Sequence, residues 1–129
     1  MTVIAHGVDL VFCPRIAAVW KRHDDAFLRR VWGRDELAYC LSRRDPLPHL
    51  AARFAVKEAV FKALGTGWRG GLKWTDVQTL PDALGRPTLR LADRTAELAE
   101  KIGVVRWLVS LSHSGEYAVA SVIALGRGS

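Results

Sequence analysis

One stretch constrains the fold of this chain more than any other: PLPHLAARFAVKEAVFKALG, residues 46–65. At about 100° per residue, Phe54, Phe61 and Leu64 fall on one side of a helix, while Val56, Ala59 and Ala63 cover much of the opposite side. A helix apolar nearly all round is a buried helix, so the other elements must wrap it. It begins after prolines, and the pattern predicts Gly65 as its C-cap. Lys57, Glu58 and Lys62 nevertheless lie on it, and a glycine cluster, GTGWRGG, follows directly.

The flanking segments are readable in the same way. A short strand through Val3 and Ile4 leads into CPRIAAVWKRH, where Pro14 suits a first helical turn and Ile16, Val19 and Trp20 keep helical spacing. DDAFLRRVW and DELAYCLS read as two short helical pieces. Beyond the glycines, LKWTDVQTL and RPTLRL read as strands flanking the turn DALGRP. LADRTAELAEKIG reads as an amphipathic helix with Asp93 as N-cap. VRWLVSLS and EYAVASVIAL form a hairpin around His113, Ser114 and Gly115. Helices followed by antiparallel strands predict an α+β fold, and 129 residues, half of them hydrophobic, suit one domain over residues 1–129.

The class of protein is bounded by charge and by what is missing. No segment approaches the roughly 20 apolar residues of a membrane span, and the N-terminus lacks the basic and apolar regions of a signal peptide, so a cytoplasmic protein is expected. Cys13 and Cys40 sit in apolar surroundings without metal-ligand spacing and are expected as buried, reduced thiols. The net charge of +6 lies wholly in residues 1–74, which carry 13 basic against 7 acidic side chains. Arg15, Lys21, Arg22, Arg29, Arg30, Arg34, Arg43 and Arg44 supply most of it. Such a distribution suits an acidic partner docking on one side, or else a generally solvated basic face.

Glu58 and Lys62 are four residues apart and share a face with the small residues Ala51 and Ala55, which leave room beside them. The plain alternative is an ordinary salt bridge between the two. Asp9, in HGVDLV at the junction of the first strand and first helix, needs a capping role or a charged partner. If Asp9 and Glu58 converge, they offer two hard oxygen ligands, the usual protein share for Mg²⁺. Lys57 and Lys62 would then face substrate phosphates. The glycines follow the helix, whereas a Walker A loop precedes one, so GTGWRGG reads as a flexible wall with exposed amides.

Three blocks, HGVDLVFCPRI, LAARFAVKEAVFKALGTG and VSLSHSGEYAVASVI, resemble in order and spacing those of the holo-[acyl-carrier-protein] synthases, the short class of 4'-phosphopantetheinyl transferases. The resemblance implies transfer of the phosphopantetheine arm of coenzyme A to a carrier-protein serine, release of 3',5'-ADP, a need for Mg²⁺, and a homotrimer with sites between subunits. By position it implies Asp9 and Glu58 as metal ligands and Lys62 as the lysine beside the pyrophosphate. Arg53, Lys57, Gly65, Ser112 and His113 fall near coenzyme A, the last two toward its adenosine 3'-phosphate end across a subunit boundary. Arg15, Lys21 and Arg22 match the surface that receives the acidic carrier helix. Where that family commonly reads DxVEIxRI this chain has DLVFCPRI, so that Phe12 replaces an acidic residue and Pro14 restarts the helix.

The residues suit this chemistry. Attack of a serine on a phosphoanhydride builds negative charge on the phosphoryl oxygens, which Mg²⁺ on Asp9 and Glu58, together with Lys62, would stabilise. The serine proton would pass to Glu58 through a water or to that water itself, and His113 reads as a base, a phosphate contact or a solvated turn residue. A basic nucleic-acid-binding module would account for the charge and for Trp20, Trp32, Trp68, Trp74 and Trp107, but not for the Lys57, Glu58, Lys62 helix. A catalytically silent carrier-binding relative is the other rival, and intact Asp9, Glu58 and Lys62 argue against it. The expected partners are thus coenzyme A and an acidic carrier protein, with neither nucleic acid nor membrane.

Overall fold

Strand β1 (Thr2–Phe12) leads directly into helix α1 (Cys13–Val31), followed by α2 (Arg34–Leu41) and α3 (Pro46–Leu64). A 3-10 turn (Trp74–Asp76) opens the second half, which continues with β2 (Val77–Pro81), β3 (Pro87–Leu91), α4 (Asp93–Lys101), β4 (Val104–Ser114) and β5 (Tyr117–Gly126). These elements come from a computed structural model that describes residues 1–66 and 71–128. The wall expected of GTGWRGG, with Trp68, therefore lies mostly outside the described residues.

Helix α3 is the axis of the molecule. Leu50, Ala51, Ala55, Val56, Ala59 and Val60 are all fully buried, as a helix apolar on every side requires. It packs on a three-stranded antiparallel sheet of order β1-β5-β4, while α1, α2 and β2 close over its other side. The fold is α+β. A separate hairpin pairs β2 with β3. Pro46 occupies the first turn of α3, and Gly65 ends the helix in a left-handed conformation, φ 76°, that a side chain would strain.

Gly7 fixes how closely helix and sheet approach. A methyl group at Gly7 would lie 2.0 Å from the carbonyl oxygen of Ala59, so β1 can cross α3 here only because that position has no side chain. Ala51 and Ala55 serve the same close packing. Both are wholly buried.

Three boundaries differ from their expectation. Strand β1 continues through Asp9 to Phe12, so Asp9 lies within a strand and caps no helix. The segment LKWTD turns through 3-10 before the strand starts, because the buried Asp76 carboxylate accepts both the Lys73 amide and the Thr95 hydroxyl. Asp93 is not the N-cap of α4. Ala92 holds that position without a side-chain cap, and the Asp93 backbone is itself left-handed at φ 50°. The helical break expected before DDAFLRRVW is present as a kink at Asp24, φ 54°, inside α1.

Candidate active site

The crossing at Gly7 carries Asp9, two residues further along β1, onto the face that meets α3. There the Lys62 ammonium donates to Asp9 Oδ1 at 2.7 Å and to the Val8 carbonyl at 3.2 Å. Asp9 is largely covered, with 16 % of its side chain exposed, whereas Lys62 is 54 % exposed. Lys62 therefore pairs across to the strand, and the simple helical salt bridge with Glu58 does not form. The Asp9 contact raises the proton affinity of Lys62, keeping it cationic.

Glu58 lies one turn before Lys62, half-buried. Burial pushes its carboxyl pKa above the usual value, the Asp9 charge pushes it further, and Lys62 and Arg15 partly offset both. Two carboxylates close enough to repel, with two cations beside them, form an oxygen-only donor set. Among the described residues no cluster of three or more His, Cys, Asp or Glu side chains could hold a metal. Asp9 and Glu58 thus suit a hard cation that takes only two ligands from protein.

Lys57 does not join them, although it is the neighbour of Glu58. Its ammonium is fully buried on a different side of α3, 2.6 Å from Glu36 Oε1, and donates to the carbonyls of Trp74 and Val77. Glu36 in turn accepts the Thr79 amide at 2.7 Å. Consecutive residues on a helix point about 100° apart, so Lys57 and Glu58 cannot face one ligand. The expectation that Lys57 contacts coenzyme A is corrected: it is a core cation that ties α3 to α2 and β2. Burial lowers its proton affinity, and Glu36 counteracts this.

Arg53, Ser112 and His113 come together at the other end of α3, where they line a pocket of about 200 Å³ with Tyr39 and His49. Arg53 is 94 % buried by its 6 % exposure, stacks over the Tyr39 ring at 4.6 Å and donates to the His49 carbonyl, and its Nε has no partner. His113 is not at the tip of the hairpin but on β4, paired with Ala118. Ser112, paired with Val119, alternates to the outer face and reaches the pocket at its rim. Gly65 lies apart from all three, lining a cavity of about 590 Å³ with Thr66, Leu72, Arg94 and Lys101. His49 carried no signal of its own in the sequence beyond standing one turn before Arg53.

Arg15, Lys21 and Arg22 are exposed on α1. Arg15 and Arg22, two turns apart, share a face, and Arg15 is near enough to act on Glu58. A hollow of about 360 Å³ lined by Ala17, Trp20, Lys21 and Leu47 borders this basic strip. Two of the tryptophans are packed inward: Trp32 is buried and its indole N–H donates to the Leu50 carbonyl, and Trp74 packs between Phe54 and Phe61. Both cysteines are free and buried, and burial pushes the Cys40 thiol up to about 12.

The α+β fold built on one central helix is that of the 4'-phosphopantetheinyl transferase superfamily, whose family model matches residues 5–122. The holo-[acyl-carrier-protein] synthase of Koribacter versatilis is 43 % identical over 121 residues, 94 % of this chain and 97 % of that one. That of Gloeobacter violaceus is 46 % identical over 124 residues, covering 93 % and 91 % of the two chains. Among solved structures, the holo-[acyl-carrier-protein] synthase of Neisseria meningitidis superposes with a TM-score of 0.88 at 32 % identity over 96 % of this chain and 99 % of its own. The Helicobacter pylori enzyme, solved in complex with coenzyme A, gives 0.81 at 28 % identity over 93 % and 99 %. The chain belongs to the holo-[acyl-carrier-protein] synthases of this superfamily, and is a phosphopantetheinyl transferase.

Proposed function

We propose that this protein, as one domain, transfers the 4'-phosphopantetheine arm of coenzyme A to a serine of an acidic apo acyl carrier protein in the cytoplasm. The other product is 3',5'-ADP, and the reaction depends on Mg²⁺ held by Asp9 and Glu58. The observation that carries this reading is the convergence of Asp9, Glu58 and Lys62 where β1 crosses α3. Bound Mg²⁺ would supply charge stabilisation to the transferring phosphoryl group. Asp9 and Glu58 provide the fixed negative charge that selects a cation. Lys62, more than half exposed, presents its remaining N–H groups toward phosphate oxygens. Arg53 and His113 receive the 3'-phosphate of the nucleotide, with Ser112 at the rim and Gly65 ending the helix behind Lys62. The exposed strip of Arg15, Lys21 and Arg22 receives the acidic carrier, and Arg15 joins that strip to Glu58.

The assembly we propose is a homotrimer with sites between subunits. The outer face of the three-stranded sheet supports it: Val8, Leu10, Leu108, Tyr117 and Val119 are each at least 38 % exposed and lie on the side away from α3. Copies of this chain packing on that face would bring a neighbour beside Ser112. The proximity of Asp9, Glu58 and Lys62 favours an active transferase over a carrier-binding relative without activity. Incubation of an apo carrier protein with this protein, coenzyme A and Mg²⁺ should add one phosphopantetheine per acceptor serine by intact mass, and a chelator should stop it. Carriers that stay unmodified across several tested partners would refute the proposal.

A further inference from the structure

His49 has no role in the readings above, yet it stands inside the pocket of Arg53 and His113. Its ring lies 5.7 Å from that of His113, centroid to centroid, tilted by 67°. It is half-buried in the first turn of α3, where helix amides leave a positive end that favours an anion. Arg53, one turn on, keeps a buried Nε–H without a partner and lines the same cavity. Two imidazoles and a guanidinium with one unpaired N–H around about 200 Å³ form a seat whose positive charge is variable.

We infer that His49 is a specificity-determining residue of the proposed reaction, taking up a proton when a phosphomonoester dianion enters this pocket, so that coenzyme A is held in preference to its dephospho form. The inference rests on the function proposed above. Among the described residues, these charged and titratable groups face His49. Arg53 comes from its own helix, His113 from β4, Tyr39 from α2, and Arg43 and Asp45 from the connection between α2 and α3. The β2–β3 hairpin contributes only Pro81, Gly85 and Pro87. Burial first, then Arg53, His113 and Arg43, push the imidazole below its ordinary value, and Asp45 opposes them only weakly. Burial and the cations beside it thus disfavour the protonated form of His49 in the free protein. A dianion reverses the sign of that field, and one proton passes from solvent to the ring.

The sign of the pH dependence follows. His49 binds its proton more tightly in the complex than in the free protein, so affinity is greatest at low pH and falls as pH rises between the two values, by at most about tenfold per pH unit. The phosphate's own second ionisation, near pH 6, works the other way but is common to all variants. The test is calorimetric titration of the intact protein with coenzyme A and with dephospho-coenzyme A between about pH 6 and pH 8, in buffers of different ionisation heat. Wild type should bind coenzyme A with proton uptake and a falling affinity, and dephospho-coenzyme A more weakly with less uptake. His49→Gln, and His49→Phe as a second variant that keeps the ring volume, should lose that uptake and narrow the preference between the two ligands. Uptake unchanged in both variants would overturn the inference, as would its loss in His113→Gln alone. Wild type that binds neither ligand would overturn the proposed function as well, which separates the two failures.

Discussion

Lys57 and Glu58 are adjacent in the chain and have opposite roles because one bond of helix rotation separates their surroundings. Lys57 is fully enclosed and shares its charge with Glu36, whose second oxygen holds the Thr79 amide. Removing one partner leaves an uncompensated buried charge. Lys57→Met should destabilise the protein by about 3–5 kcal/mol, and Glu36→Gln in the same chain should recover part of the loss. Denaturant unfolding of the single and double variants measures both, and a fully additive pair would show that the two do not interact. Glu58 titrates with the opposite sign to a paired carboxylate. Its folded pKa is raised above the ordinary 4.5, so its charge costs stability at neutral pH, and that cost is relieved as pH falls through the folded value toward 4.5. The difference in melting temperature between Glu58→Gln and wild type, measured without metal, should therefore shrink on acidification from pH 7 to pH 4.5.

At the scale of elements, the approach of β1 to α3 positions the site. Gly7→Ala should lower stability by about 1–3 kcal/mol, since the added methyl meets backbone and one element must shift. Thermal unfolding checks this, and an Ala variant as stable as wild type would mean that the crossing does not depend on Gly7. The central position of α3 was legible because no polar stripe interrupts its apolar surface, and its stop was legible in Gly65. The extent of β1 was not. Val8, Leu10 and Phe12 are apolar on the outer face just as Val11 is on the inner one, so the alternation that marks a half-buried strand is blurred. The Lys57–Glu36 pair was hidden for another reason. Its partners are 21 residues apart on different helices, and no local pattern distinguishes a lysine that turns inward. Asp9 stood out because a carboxylate in an apolar segment needs a partner, and that partner is Lys62.

For the whole molecule, the basic strip and the exposed sheet face are the two surfaces proposed to meet partners. If Arg15, Lys21 and Arg22 steer an acidic carrier, raising salt from 50 to 300 mM, spanning the range where the Debye length falls below about 10 Å, should weaken apparent carrier affinity strongly and coenzyme A affinity less. Equal sensitivity of both would contradict that assignment. Leu10, 62 % exposed, stands on the edge strand β1 of the outer sheet face, paired with Val119. Leu10→Asp should shift the light-scattering mass toward a monomer while leaving the helical content unchanged.

That Asp9 and Glu58 form the cation site of a phosphopantetheinyl transferase is tested most directly by one paired measurement on Glu58→Gln. An apo carrier is incubated with coenzyme A, Mg²⁺ and either wild type or the variant, its intact mass is recorded, and each protein is melted without metal. The carrier treated with wild type should gain one phosphopantetheine and the carrier treated with Glu58→Gln none, while the variant melts no lower than wild type, because the amide removes a repelling charge and Lys62 keeps Asp9. A Glu58→Gln protein that is clearly less stable yet still modifies the carrier would contradict the account.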